Sequence, residues 1–293
     1  MTEMENGLDN TRKPVWFITG CSTGFGRTLA ASVLERGYSV AVTARNPNSI
    51  QDLSGLGDAL ILKLDITDQS QIAAAVHAAE AKFGHIDVLV NNAGIGYFAA
   101  VEESEDAQIR KMFEINVFGL GRMINAVLPG MRKARRGFIV NFSSIAGLRS
   151  FPALGYYNAT KFAVEGLSGA LRLEVAALGI KVMLIEPSGF RTDWAGRSAN
   201  ESKTSIADYA ATAGEARHNL REVSGKQRGD PARAIEAIIK AVEAKNPPAH
   251  LLLGNDAYDG AIAKLRDLEK EFTAWEGVSR SADFPEANKP KAA

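Results

Sequence analysis

The sequence predicts an α/β protein built on one doubly wound parallel sheet, three layers deep, with a lid near its C-terminal end. Three observations predict it. Short apolar runs rich in β-formers alternate with helix-length segments from about residue 15 to 189; strands joined in this way pair in parallel and are covered on both faces. A cluster of glycines stands between the first such strand and the first helix. No linker, repeat or low-complexity tract divides the 293 residues. A single domain over 14–284 is therefore expected, with flexible tails at 1–13 and 285–293.

VWFIT (15–19) reads as a buried strand and GRTLAASVLER (26–36) as a helix that stops at Gly37. SVAVTA (39–44) and ALILKLD (59–65) are the next strands, followed by a helix over 69–84 and a strand over 86–94 that runs into a loop. A long helix is expected over about 105–133, a strand over 137–144, a second long helix over about 156–178 and a strand over 180–189. Residues 190–229 are polar, show no clear strand and are too long for a connector, so they are assigned as a mobile lid. Asp230-Pro231 opens a helix to about Lys245, aspartate being a good N-cap and proline a good first residue. HLLLG (250–254) and 256–276 are the last strand and helix.

The bulk properties narrow the function. Lys+Arg and Asp+Glu both number 34, which argues against a general polyanion-binding surface and hence against a nucleic-acid partner. No apolar run approaches the roughly 18 residues of a spanning helix, the first residues are polar, and the lone Cys21 has no internal partner for a disulfide. The expected setting is cytoplasmic, with no membrane partner and a small molecule as ligand. His77, His85, His218 and His250 are scattered without metal-ligand spacing, so no metal site is expected. The run Arg132-Lys133-Ala134-Arg135-Arg136 reads as a helix end where positive charge suits the dipole.

TGCSTGFG (19–26) places Gly20, Gly24 and Gly26 at a strand–turn–helix junction. Glycines there let the backbone approach a pyrophosphate, and the helix N-terminus supplies amide donors. The spacing G-x3-G-x-G differs from G-x-G-x-x-G, and the alternative is a plain turn. The second strand ends without an acid at its tip and carries Arg45 instead. A carboxylate there would repel a 2′-phosphate, whereas an arginine fork binds one, so NADP(H) is preferred over NAD(H). Ser22 is a further phosphate contact; a solvated surface arginine is the alternative for Arg45.

TGCSTGFG, LDIT (64–67), NNAG (91–94), NVFG (116–119), FSS (142–144), YNATK (157–161) and EPSGFRT (186–192) occur in this order. Together they resemble the short-chain dehydrogenase/reductase family of single-domain Rossmann-fold oxidoreductases, over about residues 14–192. The resemblance implies a tetrad of Asn116, Ser144, Tyr157 and Lys161. It places Asp65 and Ile66 beside an adenine and Asn92 and Gly94 by the diphosphate and ribose. Pro187, Gly189 and Thr192 would lie near the nicotinamide and diphosphate, and Phe25 in the glycine loop. Three positions depart from the family's usual residues: Thr160 for serine, Ser188 for glycine and Phe25 for an aliphatic. A homodimer or homotetramer paired through the two long helices is the family's habit.

The chemistry suits these residues. Reducing a ketone puts negative charge on its oxygen, so a proton donor must sit beside it. A free tyrosine titrates near pH 10, and a nearby ammonium is expected to lower that value. On a helix, Tyr157 and Lys161 are i and i+4 and share a face, whereas Tyr156 points about 100° away. Tyr157 is thus the expected general acid and base; by itself such a pair is more often incidental, and the surrounding motifs make the case. The resemblance gives Lys161 the nicotinamide ribose, Ser144 the substrate oxygen and Asn116 a water linked to Lys161. Ser143 should face away from Ser144. Leu148, Leu154 and Trp194 are expected to contact a hydrophobic ketone or secondary alcohol. A family epimerase or dehydratase, or a non-catalytic NADP(H)-sensing protein, are the alternatives.

Overall fold

A computed structural model describes residues 13–196 and 198–284; of the expected tails at 1–13 and 285–293, all but Lys13 lies outside the described residues. Seven strands form one sheet: β1 (Val15–Ile18), β2 (Ser39–Ala44), β3 (Ala59–Lys63), β4 (Val88–Asn91), β6 (Gly137–Phe142), β7 (Ile180–Pro187) and β9 (His250–Leu253). All pair in parallel, in the order β3-β2-β1-β4-β6-β7-β9. The alternation along each strand divides the core. Trp16, Ile18, Val40, Val42, Val88 and Val90 pack on the face covered by α1 (Gly24–Glu35) and α7 (Pro231–Glu243). Phe17, Ala41, Leu89 and Ile139 face α2 (Gln69–Phe83), α4 (Leu120–Ala134) and α5 (Gly155–Val175). The three expected layers are present.

Local chemistry sets the helix ends. The Asp68 and Asp230 carboxylates accept from the first amides of α2 and α7, caps that each contribute about 1 kcal/mol. Ile235, Ile238, Ile239 and Val242 bury one face of α7, each side chain contributing roughly 1.5–3 kcal/mol.

Three expectations need correction. The predicted helix over 105–133 is interrupted: α3 (Asp106–Phe113) passes through a wider π turn at Glu114–Gly119 before α4 begins. The predicted last helix stops at Ala274 of α8 (Asn255–Ala274), and a separate α9 (Glu276–Arg280) follows. The segment 190–229 contains a strand after all. β8 (Ala199–Glu201) pairs in parallel with β5 (Gly96–Phe98), and α6 (Glu215–Glu222) follows. Three residues are too few to show a period-two pattern, and Ala-Asn-Glu has no β-forming composition.

Buried charge fastens this segment to the body. Glu103 is 4% exposed; it accepts from the amides of Ile206 (2.8 Å) and Ala100 (3.1 Å) and from Arg217 (2.9 Å). Arg217 also reaches Glu201, and Arg221 donates to the carbonyls of Ala195, Gly196 and Ala199 while its guanidinium lies 4.8 Å from the Phe98 ring. Burial alone would raise the Glu103 pKa, but the two amides and Arg217 outweigh it and hold the carboxyl below the ordinary glutamate value of 4.5. Its contribution is therefore present above that value and lost as pH falls through the lowered one. In Glu103→Gln, breaking this buried pair is expected to cost about 3–5 kcal/mol locally. Hydrogen exchange should then accelerate across 198–223 while β1 and β4 stay protected; equal acceleration everywhere would show that the fastening is not local.

Candidate active site

The strand order reverses between β1 and β4, and in open parallel sheets that reversal opens a crevice at the C-terminal strand ends. The first turn is packed into it. Gly20 has φ +72°, and a Cβ there would meet Ala93 Cα at 2.9 Å. A Cβ at Gly26 would meet Asn92 Nδ2 at 2.3 Å and the Gly20 carbonyl oxygen at 2.5 Å. Asn92 Nδ2 donates to the carbonyls of Thr19 (2.8 Å) and Gly20 (3.0 Å), and its amide donates to Thr19 Oγ1 (3.0 Å). Asn92 thus braces β4 against β1. Cys21 is fully buried beside this turn and burial pushes its thiol up to about 12, as a packing role requires.

A cleft of about 710 Å³ opens here. It is lined by Gly20, Ser22, Gly24, Phe25, Arg45, Asp65, Ile66, Asn92 and Gly94 on the β1–β4 side, and by Ser144, Leu154, Tyr157, Lys161, Pro187, Gly189, Thr192 and Trp194 on the other. The structure brings these expected residues together from positions far apart in the chain. Three others do not line it. Gly26 lies beneath the turn, where its role is to leave room for Asn92. Leu148 packs with Ile145, Ala257 and Ala261 under α8, so it is not a wall of the cleft, contrary to its expected substrate contact. Asn116 sits behind the lining in the π turn. Its Oδ1 accepts from the Ile95 amide (2.9 Å) and its Nδ2 donates to the Ile95 carbonyl (2.9 Å) and Thr160 Oγ1 (3.2 Å). The Asn116 amide is therefore a clamp between the loop after β4 and α5, with both its hydrogens occupied by protein oxygens.

Tyr157 and Lys161 are both buried on α5. Lys161 Nζ lies 5.7 Å from the Tyr157 ring centroid and donates to the Phe142 carbonyl (2.7 Å). The Trp194 ring covers Tyr157 at 4.9 Å. Ser144 caps a short helical turn, accepting from the Ala146 amide (3.1 Å), and donates to the Pro187 carbonyl (3.4 Å). Burial pushes the Tyr157 phenol up from its ordinary 10, and a hydrogen bond with Ser144 pulls it only partly back. The expectation that Lys161 lowers this pKa is not met: desolvation dominates, and the ammonium is held by Phe142 instead. Burial also lowers Lys161 to about 8, against the opposing charge of Glu165.

The departures from family pattern have structural accounts. Phe25 packs between Phe142 and Phe190 (ring centroids 5.6 and 5.2 Å). The Ser188 hydroxyl turns onto the Leu253 carbonyl (3.3 Å). Thr160 donates to the Tyr157 carbonyl (2.8 Å) and accepts from Asn116. Arg45 at the tip of β2 is exposed, with no ion pair among the described residues.

Residues 14–203 match the family described as short chain dehydrogenase. The chain belongs to the short-chain dehydrogenase family. Among its relatives, the oxidoreductase BOA17 of Botryotinia fuckeliana (strain B05.10) is 38% identical over 268 residues, covering 90% of this chain and 97% of the relative. A solved short-chain dehydrogenase from Streptomyces avermitilis is 40% identical, with TM-score 0.87 over 93% of this chain and all of that one. More distant members have been solved with cofactors. ElxO, 26% identical over 85% of this chain and all of its own, has TM-score 0.69 and NADP bound. A 3-ketoacyl-(acyl-carrier-protein) reductase from Brucella melitensis, 26% identical over 82% of this chain and 95% of its own, has TM-score 0.68 and is complexed with NADH.

Within this short-chain dehydrogenase, one cluster escaped the reading of the sequence. His250 Nδ1 lies 2.7 Å from Glu186 Oε1 and 3.8 Å from Glu165 Oε2, and these ligand-type atoms lie within 4.8 Å of one another. Ser143, which lines the cleft together with Ser144, stands beside Glu165 and lowers its pKa, though by less than burial raises it. Glu165, Glu186 and His250 come from α5, β7 and β9, so no spacing in the chain announced them. Burial raises both carboxyls above the ordinary glutamate value of 4.5. A carboxyl raised on folding binds protons in the folded state that the unfolded chain has released, so this contribution to stability falls as pH rises from about 4.5 towards neutrality. Replacing Glu186 by Gln should flatten that decline in a melting-temperature series from pH 5 to 8; an unchanged slope would show that the pair does not titrate in this window.

Proposed function

We propose that this short-chain dehydrogenase transfers a hydride between NADP(H) and an apolar ketone or secondary alcohol, with Tyr157 as general acid in reduction and general base in oxidation. The observation that carries the reading is the placement of Ser144 and of Tyr157, covered by the Trp194 ring, in the same cleft as the glycine turn.

The residues fit a dinucleotide. Gly20 and Gly24 present bare backbone to the crevice, with Ser22 and Thr23 beside them, and the N-terminus of α1, which has no side-chain cap, opens at the same place. Asp65, Ile66 and Gly94 would line the adenosine and ribose portions, with Pro187, Gly189 and Thr192 towards the nicotinamide. The unpaired Arg45 would bind a 2′-phosphate. A nicotinamide held there supplies or accepts the hydride.

The protein's part is proton transfer and orientation. The Ser144 hydroxyl donates to the substrate oxygen and positions it beside the Tyr157 phenol. Tyr157, whose raised pKa keeps it protonated at neutrality, delivers its proton as negative charge develops on that oxygen. The Lys161 ammonium stabilises the phenolate left behind and binds the ribose hydroxyls. Leu154 and Trp194 favour an apolar substrate body, and residues 190–229 act as the lid over it. A cytoplasmic setting accords with the lone, buried Cys21 and with the lack, among the described residues, of a helix long and apolar enough to cross a membrane. The exposed Phe118, Phe162, Leu167 and Leu173 support pairing of copies through the two long helical segments.

Tyr157→Phe should lower kcat for ketone reduction by about 10²-fold or more while leaving cofactor binding intact; activity equal to wild type would sink the mechanism. Because Lys161 titrates at about 8, kcat/KM for reduction should be level below that pH and fall above it as the ammonium is lost. Arg45→Ala should weaken NADPH binding at least tenfold and leave NADH binding nearly unchanged, as calorimetric titration of both would reveal. Parallel losses would remove the 2′-phosphate role.

A further inference from the structure

Arg149 lines the cleft on the loop between Ser144 and α5. It is half-buried, its guanidinium lies 4.9 Å from the Phe151 ring, and a Cβ at Gly260 of α8 would come within 3.1 Å of its Nη1. Stacking and close packing therefore hold the group in place. Yet among the described residues it has neither a carboxylate partner nor a side-chain hydrogen bond to any oxygen. The other charges lining the cleft are accounted for differently. Lys161 is bonded to the Phe142 carbonyl, Arg45 stands at the tip of β2, Asp65 accepts from the amide and hydroxyl of Thr67, Lys111 is exposed, and Asp256 lies 3.4 Å from Arg228. Asp193 has an interaction of its own.

A guanidinium carries five N–H donors in a fork that matches a carboxylate, and it is worth most where water is partly excluded. Phe151, Leu154 and Trp194 line the same cleft and offer no acceptor for it beyond the aromatic face. We propose that Arg149 determines specificity by binding a carboxylate on a substrate whose ketone or secondary alcohol is joined to it through an apolar body. This assignment rests on the hydride-transfer reading for its context and narrows the substrate from apolar to amphiphilic and anionic.

The test uses aryl methyl ketones carrying a carboxylate one, three or five methylenes from the ring, each beside its uncharged methyl ester. Binding is followed by calorimetry with cofactor present, and turnover by initial rates, for wild type, Arg149→Gln and Arg149→Lys. At least one acid should bind wild type about tenfold or more tightly than its ester. Arg149→Gln should raise the Kd and KM of that acid by about ten- to hundredfold, with kcat and the ester's constants nearly unchanged. Arg149→Lys should restore part of the preference. Acids that bind no better than esters throughout the series, or equal losses for acid and ester in Arg149→Gln, would overturn the assignment. Absence of turnover with every ketone, alongside an acid preference in binding that depends on Arg149, would reject hydride transfer and leave the anion site standing.

Discussion

The carboxamide of Asn92, donating to the carbonyls of Thr19 and Gly20, is the contact on which the site depends. It ties the end of β4 to the end of β1 where the sheet changes direction. The crevice exists because chains leaving those two strands diverge, and it keeps its shape because this amide bridges them. Gly26 serves that contact by leaving out a side chain, and Gly20 serves it through a backbone conformation that brings the turn against Ala93. On the far side of the same loop, Asn116 grips both the amide and the carbonyl of Ile95 and joins them to Thr160 on α5. Two asparagine side chains therefore connect the glycine turn to the helix that carries Tyr157 and Lys161.

The roof of the cleft is held by a different interaction. Glu103 and Arg217 are both largely withdrawn from water, and each satisfies the other together with backbone groups of 201–206. Arg221 adds three carbonyl contacts near Trp194. The segment after β7 is thus anchored at its middle through β8 and α6, while Phe190–Trp194 reaches down to the glycine turn and Tyr157. Any movement of this segment has to work around these anchors.

Desolvation governs the protonation states within. It raises Tyr157, lowers Lys161 and raises both carboxyls of the Glu165–Glu186 pair, one helical turn beyond Lys161 on α5. In each case the neutral form is favoured because the low-dielectric interior penalises charge more than any single neighbour relieves it. Helical spacing placed Tyr157 and Lys161 on one face; burial, which spacing does not encode, reversed the expected direction of the tyrosine shift.

Much of the fold was legible in the chain. The strand–helix alternation, the ends of α2 and α7 at Asp68 and Asp230, and the glycine turn follow from local periodicity and capping, which a sequence displays directly. So does the choice of Tyr157 over Tyr156 as the partner of Lys161, because one helical turn is a local distance. The three-residue strands β5 and β8 were beyond that reach, being held by each other and by Arg217 and Arg221 from farther along the chain. Leu148 and Arg149 are adjacent on one loop, yet the leucine packs under α8 and the arginine lines the cleft. His250 meets Glu165 and Glu186 only because β7 and β9 are neighbours in the sheet. The sequence by itself determined which elements form and which residues stand at their ends; the tertiary structure alone decided which side chains lose water and whom they meet, because burial and contact are properties of the packed chain rather than of any stretch of it.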